Sequence, residues 1–103
     1  MTTIIQEKLP EVRGLCEKYG VSRFAVFGSG VRNDFDEVRS DLDFLVEFKP
    51  MSPGEHKEAY FSLLEGLEKL FSASIDLVEL QAIRNPFVKR RVEQDQETLY
   101  DAA

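Results

Sequence analysis

Apolar residues near the start of the chain recur at Ile5, Leu9, Val12, Cys16 and Tyr19, in alternating steps of four and three. That spacing is one face of a helix. Pro10 either kinks this helix or sits in its first turn, and Gly20 stops it. The pattern then changes. "SRFAVFG" is a short apolar run closed by glycine, which predicts a strand. "DLDFLVEF", residues 41–48, alternates: Leu42, Phe44, Val46 and Phe48 share one face, and Asp41, Asp43, Leu45 and Glu47 the other.

After the loop "KPMSPGEH", Ser52 and Glu55 match a capping box, with Pro53 at the first helical position. The helix that follows runs to about Phe71, with Tyr60, Leu63, Leu64, Leu67, Leu70 and Phe71 turned inward. "ASIDLVEL" reads as a third strand. Asn85 and Pro86 open a last helix carrying Phe87, Val88 and Val92, and "TLY" packs back on the sheet. These elements predict an α/β (α+β) domain, a small mixed sheet flanked by helices. The 103 residues form one domain, 1–103.

Composition narrows the function. At 43% hydrophobic residues, the chain can bury a core. Cys16, the one cysteine, has no internal disulfide partner and suits a reducing cytoplasm as a buried structural thiol. "MTTIIQEKLPEV" lacks the apolar core of a signal peptide, and no run approaches the ~18 apolar residues of a membrane span. A net charge of −6 argues against direct nucleic-acid binding. The basic run "KRR" at 89–91 reads as a solvated helix face or as a contact for phosphate or an acidic partner.

The alternation puts Asp41 and Asp43 on one side of their strand, roughly 7 Å apart. Asp76 stands inside an apolar strand, where an aspartate calls for a partner or a metal. If the two strands are neighbours, three carboxylates converge. Each pair then repels by ~4 kcal/mol at an effective dielectric of about 20. Either one or more stays protonated or divalent cations fill the site. An all-oxygen donor set favours Mg²⁺ or Mn²⁺ over Zn²⁺.

Gly28 and Ser29 follow the first strand, where glycine lets the backbone approach a ligand and the next N–H groups and the serine hydroxyl hold phosphate oxygens. Arg32, one turn on, pairs with a phosphate or with a surface carboxylate. A phosphate cradle beside a carboxylate cage is equipment for phosphoryl or nucleotidyl transfer.

"GSGVR…SDLDFLVEF" followed by "IDLVEL" resembles the minimal nucleotidyltransferase domains of the DNA polymerase beta-like superfamily, in particular the MntA-type antitoxins. The resemblance runs from about Leu15 to Tyr100. It implies a polymerase beta-like fold with Gly28 and Ser29 on the triphosphate and Asp41, Asp43 and Asp76 on the metals. Asp76 would also be the base for the attacking hydroxyl. It further implies ATP as substrate, AMP as the group moved, and a helical HEPN-type toxin as the protein acceptor. Two departures stand out: residues 30–40 make the Ser29–Asp41 interval one longer than the family pattern, and Asn33 replaces the glycine usual after the arginine. They motivate a second reading, an antitoxin that neutralises its partner by binding alone. Transfer to a small molecule is a third reading, and one that calls for a second domain.

Overall fold

The computed structural model describes residues 3–27 and 42–102. The amino-terminal pattern resolves into two helices, α1 (Thr3–Glu7) and α2 (Leu9–Lys18). Pro10 sits in the first turn of α2, where its missing N–H is not needed. Gly20 then turns the chain at φ +71°, a conformation that favours glycine, and its carbonyl accepts from the Lys49 N–H.

Four strands form one sheet: β1 (Val21–Phe27), β2 (Leu42–Phe48), β3 (Ile75–Glu79) and β4 (Glu97–Asp101). Their order is β3-β2-β1-β4. β1 is antiparallel to both β2 and β4, whereas β2 and β3 are parallel. A parallel pair needs a crossover connection, and α3 (Pro53–Phe71) supplies it. Its start is the capping box that the sequence predicts: the Ser52 hydroxyl accepts from the Glu55 N–H while the Glu55 carboxylate accepts from the Ser52 N–H. A 3₁₀ turn, Leu80–Ala82, leads from β3 to α4 (Pro86–Asp95). The Asn85 side chain caps α4 by accepting from the N–H groups of Phe87 and Val88. "TLY" is part of a full edge strand, β4.

One sheet face meets α1, α2 and α3 in the main core. Phe24, Val26, Leu42, Phe44, Val46, Leu77 and Leu99 of the strands pack there with Ile5, Val12, Cys16, Leu63, Leu67 and Phe71 of the helices. Phe44 links the layers, its ring 4.9 Å from Phe24 and 5.8 Å from Phe71. The other face carries a smaller cluster, Ala25 and Leu45 under Val92 of α4. β1 and β2 are therefore buried on both sides, which is why the run "FAV" in β1 is uniformly apolar.

Three large apolar side chains of the helices stand outward. Phe61 is 56% exposed, and Phe87 and Val88 are 79% and 49% exposed. Helical phase accounts for the two phenylalanines. Phe61 is about 200° from Leu63, which faces the core, and Phe87 is about 140° from Val92. Val88 is nearer the phase of Val92 but lies at the helix entry, away from the Ala25–Leu45 cluster.

Candidate active site

Asp43 is the second residue of β2 and Asp76 the second of β3. The parallel register makes them direct neighbours, and on the other side Asp43 lies opposite Phe27, the last residue of β1. Paired residues in adjacent strands point to the same side of a sheet. The two aspartates therefore share a face, with their Cα atoms about one strand spacing, ~4.8 Å, apart. Asp43 is half-buried and Asp76 is exposed.

β1 ends at Phe27 and β2 begins at Leu42, at this same end of the sheet. Gly28, Ser29, Arg32 and Asp41 lie outside the described residues. Among the described residues there is no group of three acidic, histidine or cysteine side chains placed to hold a metal. The sequence assigns the third carboxylate to Asp41. The donor set of the described pair is nonetheless clear. It consists of carboxylate oxygens, which suit Mg²⁺ or Mn²⁺. The one histidine is engaged elsewhere with Glu79, and the one cysteine is buried in the main core.

The strand that carries Asp76 is held from outside by α3. The Tyr60 hydroxyl donates to the Leu77 carbonyl, one residue from Asp76. Burial pushes the Tyr60 phenol up, and the negative charges of Glu79 and Asp76 push it further in the same direction. Further along, His56 Nε2 meets the Glu79 carboxylate, and its ring stands edge-on to Phe48. The sequence suggests an exposed His56 and a core Tyr60. Tyr60 does pack against the main core, whereas His56 is half-buried, and both line a groove of about 440 Å³ on the outer edge of β3, together with Phe61, Leu77 and Val78. The signal available for Tyr60 is general: a partly buried tyrosine hydroxyl seeks an acceptor. His56 and Glu79 are 23 residues apart, and nothing in the local pattern links them. Glu47 stays out of the aspartate pair and lies 3.8 Å from Arg23 in a surface ion pair.

Residues 12–97 match the family model described as a nucleotidyltransferase domain. The chain belongs to this nucleotidyltransferase family. A candidate protein adenylyltransferase of Methanocaldococcus jannaschii is 40% identical over 81 residues, 79% of each chain. A solved candidate minimal nucleotidyltransferase superposes with a TM-score of 0.70 at 27% identity, covering 94% of this chain and 95% of that one. A chain from the Shewanella oneidensis complex of a tri-AMPylated HEPN toxin with an MNT antitoxin has the same fold. Its TM-score is 0.65 at 17% identity, over 94% of this chain and 72% of that one. The mixed four-stranded sheet of this nucleotidyltransferase, flanked by helices, is thus the fold of the minimal members of the family. Among the described residues, no helix is long and apolar enough to cross a membrane.

Proposed function

We propose that this nucleotidyltransferase is a cytoplasmic, single-domain enzyme that moves AMP from ATP to a hydroxyl on a partner protein, a HEPN-type toxin. The observation that carries the reading is the in-register pair Asp43–Asp76 at the sheet end where β1 stops before Gly28-Ser29. The name of the Methanocaldococcus relative supports protein adenylylation, and the AMPylated toxin in the Shewanella complex supports the class of partner.

In this reading Asp41, Asp43 and Asp76 hold Mg²⁺ or Mn²⁺. When bound, such a cation neutralises charge on the triphosphate and on the departing pyrophosphate. The Ser29 hydroxyl and the N–H groups after Gly28 hold phosphate oxygens, and Arg32 pairs with one of them. Asp76, on the exposed edge strand, accepts the proton of the acceptor hydroxyl. That oxygen attacks the α-phosphorus, the bond from the α-phosphorus to the bridging oxygen breaks, and pyrophosphate leaves. The acceptor comes from outside, so an open site at a sheet edge is an advantage.

The test is incubation with α-labelled ATP, Mg²⁺ and a HEPN-type toxin from the same organism. Label should pass to a tyrosine, serine or threonine of that protein, and Asp43→Asn should abolish the transfer. The longer Ser29–Asp41 interval and Asn33 favour the second reading, neutralisation by binding alone. That reading wins if the Asp43→Asn chain protects cells from the toxin as well as the wild type does.

A further inference from the structure

The chain carries a net charge of −6, yet Arg84, Lys89, Arg90 and Arg91 cluster at and within α4, and residues 84–91 hold no acidic side chain. Among the described residues, none of these four cations is in an ion pair with a carboxylate. Beside them stand Phe87, 79% exposed, and Val88, 49% exposed. Val92 is the one buried residue of this ten-residue helix. α4 thus buries Val92 in its own fold, half-buries Lys89 and leaves its other side chains exposed.

We infer that the outer surface of α4, built on Phe87, Val88, Arg90 and Arg91, docks the acceptor protein through an apolar cleft rimmed by acidic residues. The inference rests on the adenylyl-transfer reading above. Three observations choose this occupant. Unpaired cations on an acidic chain are complementary to an acidic partner and help to steer it in. Aromatic and arginine side chains are enriched at the cores of protein interfaces, and the apolar pair Phe87 and Val88 needs a partner with apolar surface as well as charge, whereas nucleic-acid affinity comes mostly from phosphate contacts that a chain of net charge −6 opposes. The position is also right. Val92 seats α4 on Ala25 and Leu45, the sheet face that carries Asp43 and Asp76. α4 is about 15 Å long, and it leads into β4, whose Glu97 pairs with Val26 next to Phe27. A protein held on α4 therefore lies on the same side of the molecule as the aspartate pair and within reach of it.

The experiment measures affinity for a HEPN-type toxin from the same organism, using wild type, Phe87→Ser and the double variant Arg90→Glu/Arg91→Glu. Both changes fall on exposed side chains, so Tm should stay at the wild-type value. Each variant should raise the Kd and the KM for the partner at least tenfold. The kcat at saturating partner and the KM for ATP should stay within about twofold, and the charge-reversed variant should show a flatter salt dependence. A partner Kd unchanged in both variants overturns the inference. So does a raised KM for ATP in place of that for the partner, which would make the nucleotide's phosphates the anion bound by the arginines. Loss of affinity for a single-stranded RNA oligonucleotide with partner binding intact, or a wild-type dimer that Phe87→Ser dissociates, would reassign the surface and also overturn it. If the partner binds in a Phe87-dependent way but takes no label, docking stands and the transfer reading falls. If label moves at wild-type efficiency in both variants, the reverse holds. If the wild type neither binds nor labels the partner, both fail.

Discussion

Asp43 and Asp76 are direct neighbours in the parallel β2–β3 pair, and both side chains rise from the same sheet face. Two carboxylates in that relation repel when both are ionised. At a separation of about 4 Å the cost ranges from about 1 kcal/mol in water to about 4 kcal/mol at an effective dielectric of about 20. Asp76 is exposed, so its part of this cost lies toward the lower end. A divalent cation that binds the folded site converts the repulsion into attraction and stabilises by mass action, by about 2.7 kcal/mol at a hundredfold excess over its Kd. Millimolar Mg²⁺ or Mn²⁺ should therefore raise the Tm of the wild type. Asp43→Asn should lose that response, and metal-free Asp76→Asn should be at least as stable as the wild type. Melting curves of the wild type that ignore both metals would argue strongly against a cation between these residues.

Tyr60 and Leu77 give the second prediction. The Tyr60 hydroxyl is the described side-chain tie from α3 to the backbone of the edge strand β3 beside Asp76. Tyr60→Phe removes that bond and leaves the Leu77 carbonyl to water. A hydrogen bond of this kind contributes about 0.5–1.5 kcal/mol, so a drop in Tm corresponding to that range is expected. The loss should be local. Native-state hydrogen exchange should accelerate in residues 75–79 and leave β1, buried on both faces, at its wild-type protection. Uniform acceleration across all four strands would mean that the bond acts on global stability and not on the hold of β3.

Local pattern carries much of this architecture because so many decisions are local. Alternation in "DLDFLVEF" sets which faces Asp43 and Leu45 share, and Ser52, Pro53 and Glu55 announce the start of α3 within four residues. The adjacency of Asp43 and Asp76 follows from chemistry as well as pattern. An aspartate inside "SIDLVEL" is costly unless something faces it, and the nearest strand already carries a carboxylate. What local pattern does not carry is what a helix meets where it lies along the sheet. Spacing alone sets Phe61 off the face of Leu63 and Phe87 off the face of Val92, but not what those outward side chains stand beside. The His56–Glu79 meeting is of the same kind, since it depends on how α3 lies along β3. Gly28, Ser29, Arg32 and Asp41 fall outside the described residues, so for them the motif speaks alone.

Cys16 yields a prediction about pH. It is fully buried in the main core, and burial, with a smaller push from Glu17, raises its thiol from 9.0 to about 12. In the unfolded chain the thiol loses its proton at its ordinary pKa. Between that value and about 12 the folded state therefore binds the proton that the unfolded state has released. Stability must fall with rising pH across this window, and the Cys16 contribution is fully present only below it. Tyr60 and Tyr100 are also shifted upward and act in the same direction. The part due to Cys16 is isolated by comparing the pH dependence of denaturant midpoints for the wild type and Cys16→Ala. The variant should be less stable near neutral pH, because it leaves a cavity, and its stability should decline less steeply above pH 9. A thiol reagent should react with the native wild type only as fast as the core opens. Equal slopes for the two proteins above pH 9 would mean that Cys16 ionises alike in both states.

The last prediction separates the roles of the two aspartates. Asp43 lies inside the sheet between β1 and β3, half-buried, whereas Asp76 is exposed on the edge strand. Under the proposed mechanism Asp43 anchors the metal and the triphosphate, and Asp76 faces the incoming hydroxyl. Asp76→Asn keeps the size of the side chain and one carbonyl oxygen but cannot take a proton. Loss of a positioned general base typically slows a reaction by about 10²–10⁴-fold. Asp76→Asn should accordingly lower kcat for AMP transfer by at least about a hundredfold while the affinity for ATP with Mg²⁺ changes by no more than a few fold. Asp43→Asn should lose both transfer and metal-dependent ATP binding, because a missing ligand removes the positioning of the phosphates as well as the stabilisation of charge. The two effects can be read in one set of samples, with binding followed by a fluorescent ATP analogue and transfer by label on the partner protein. Equal losses of ATP affinity in both variants would mean that Asp76, like Asp43, acts chiefly as a metal ligand, and would leave the proton of the acceptor hydroxyl to another group. Near-wild-type transfer by Asp76→Asn would remove it from the chemistry, and its place beside Asp43 would then have to be explained by the sheet alone.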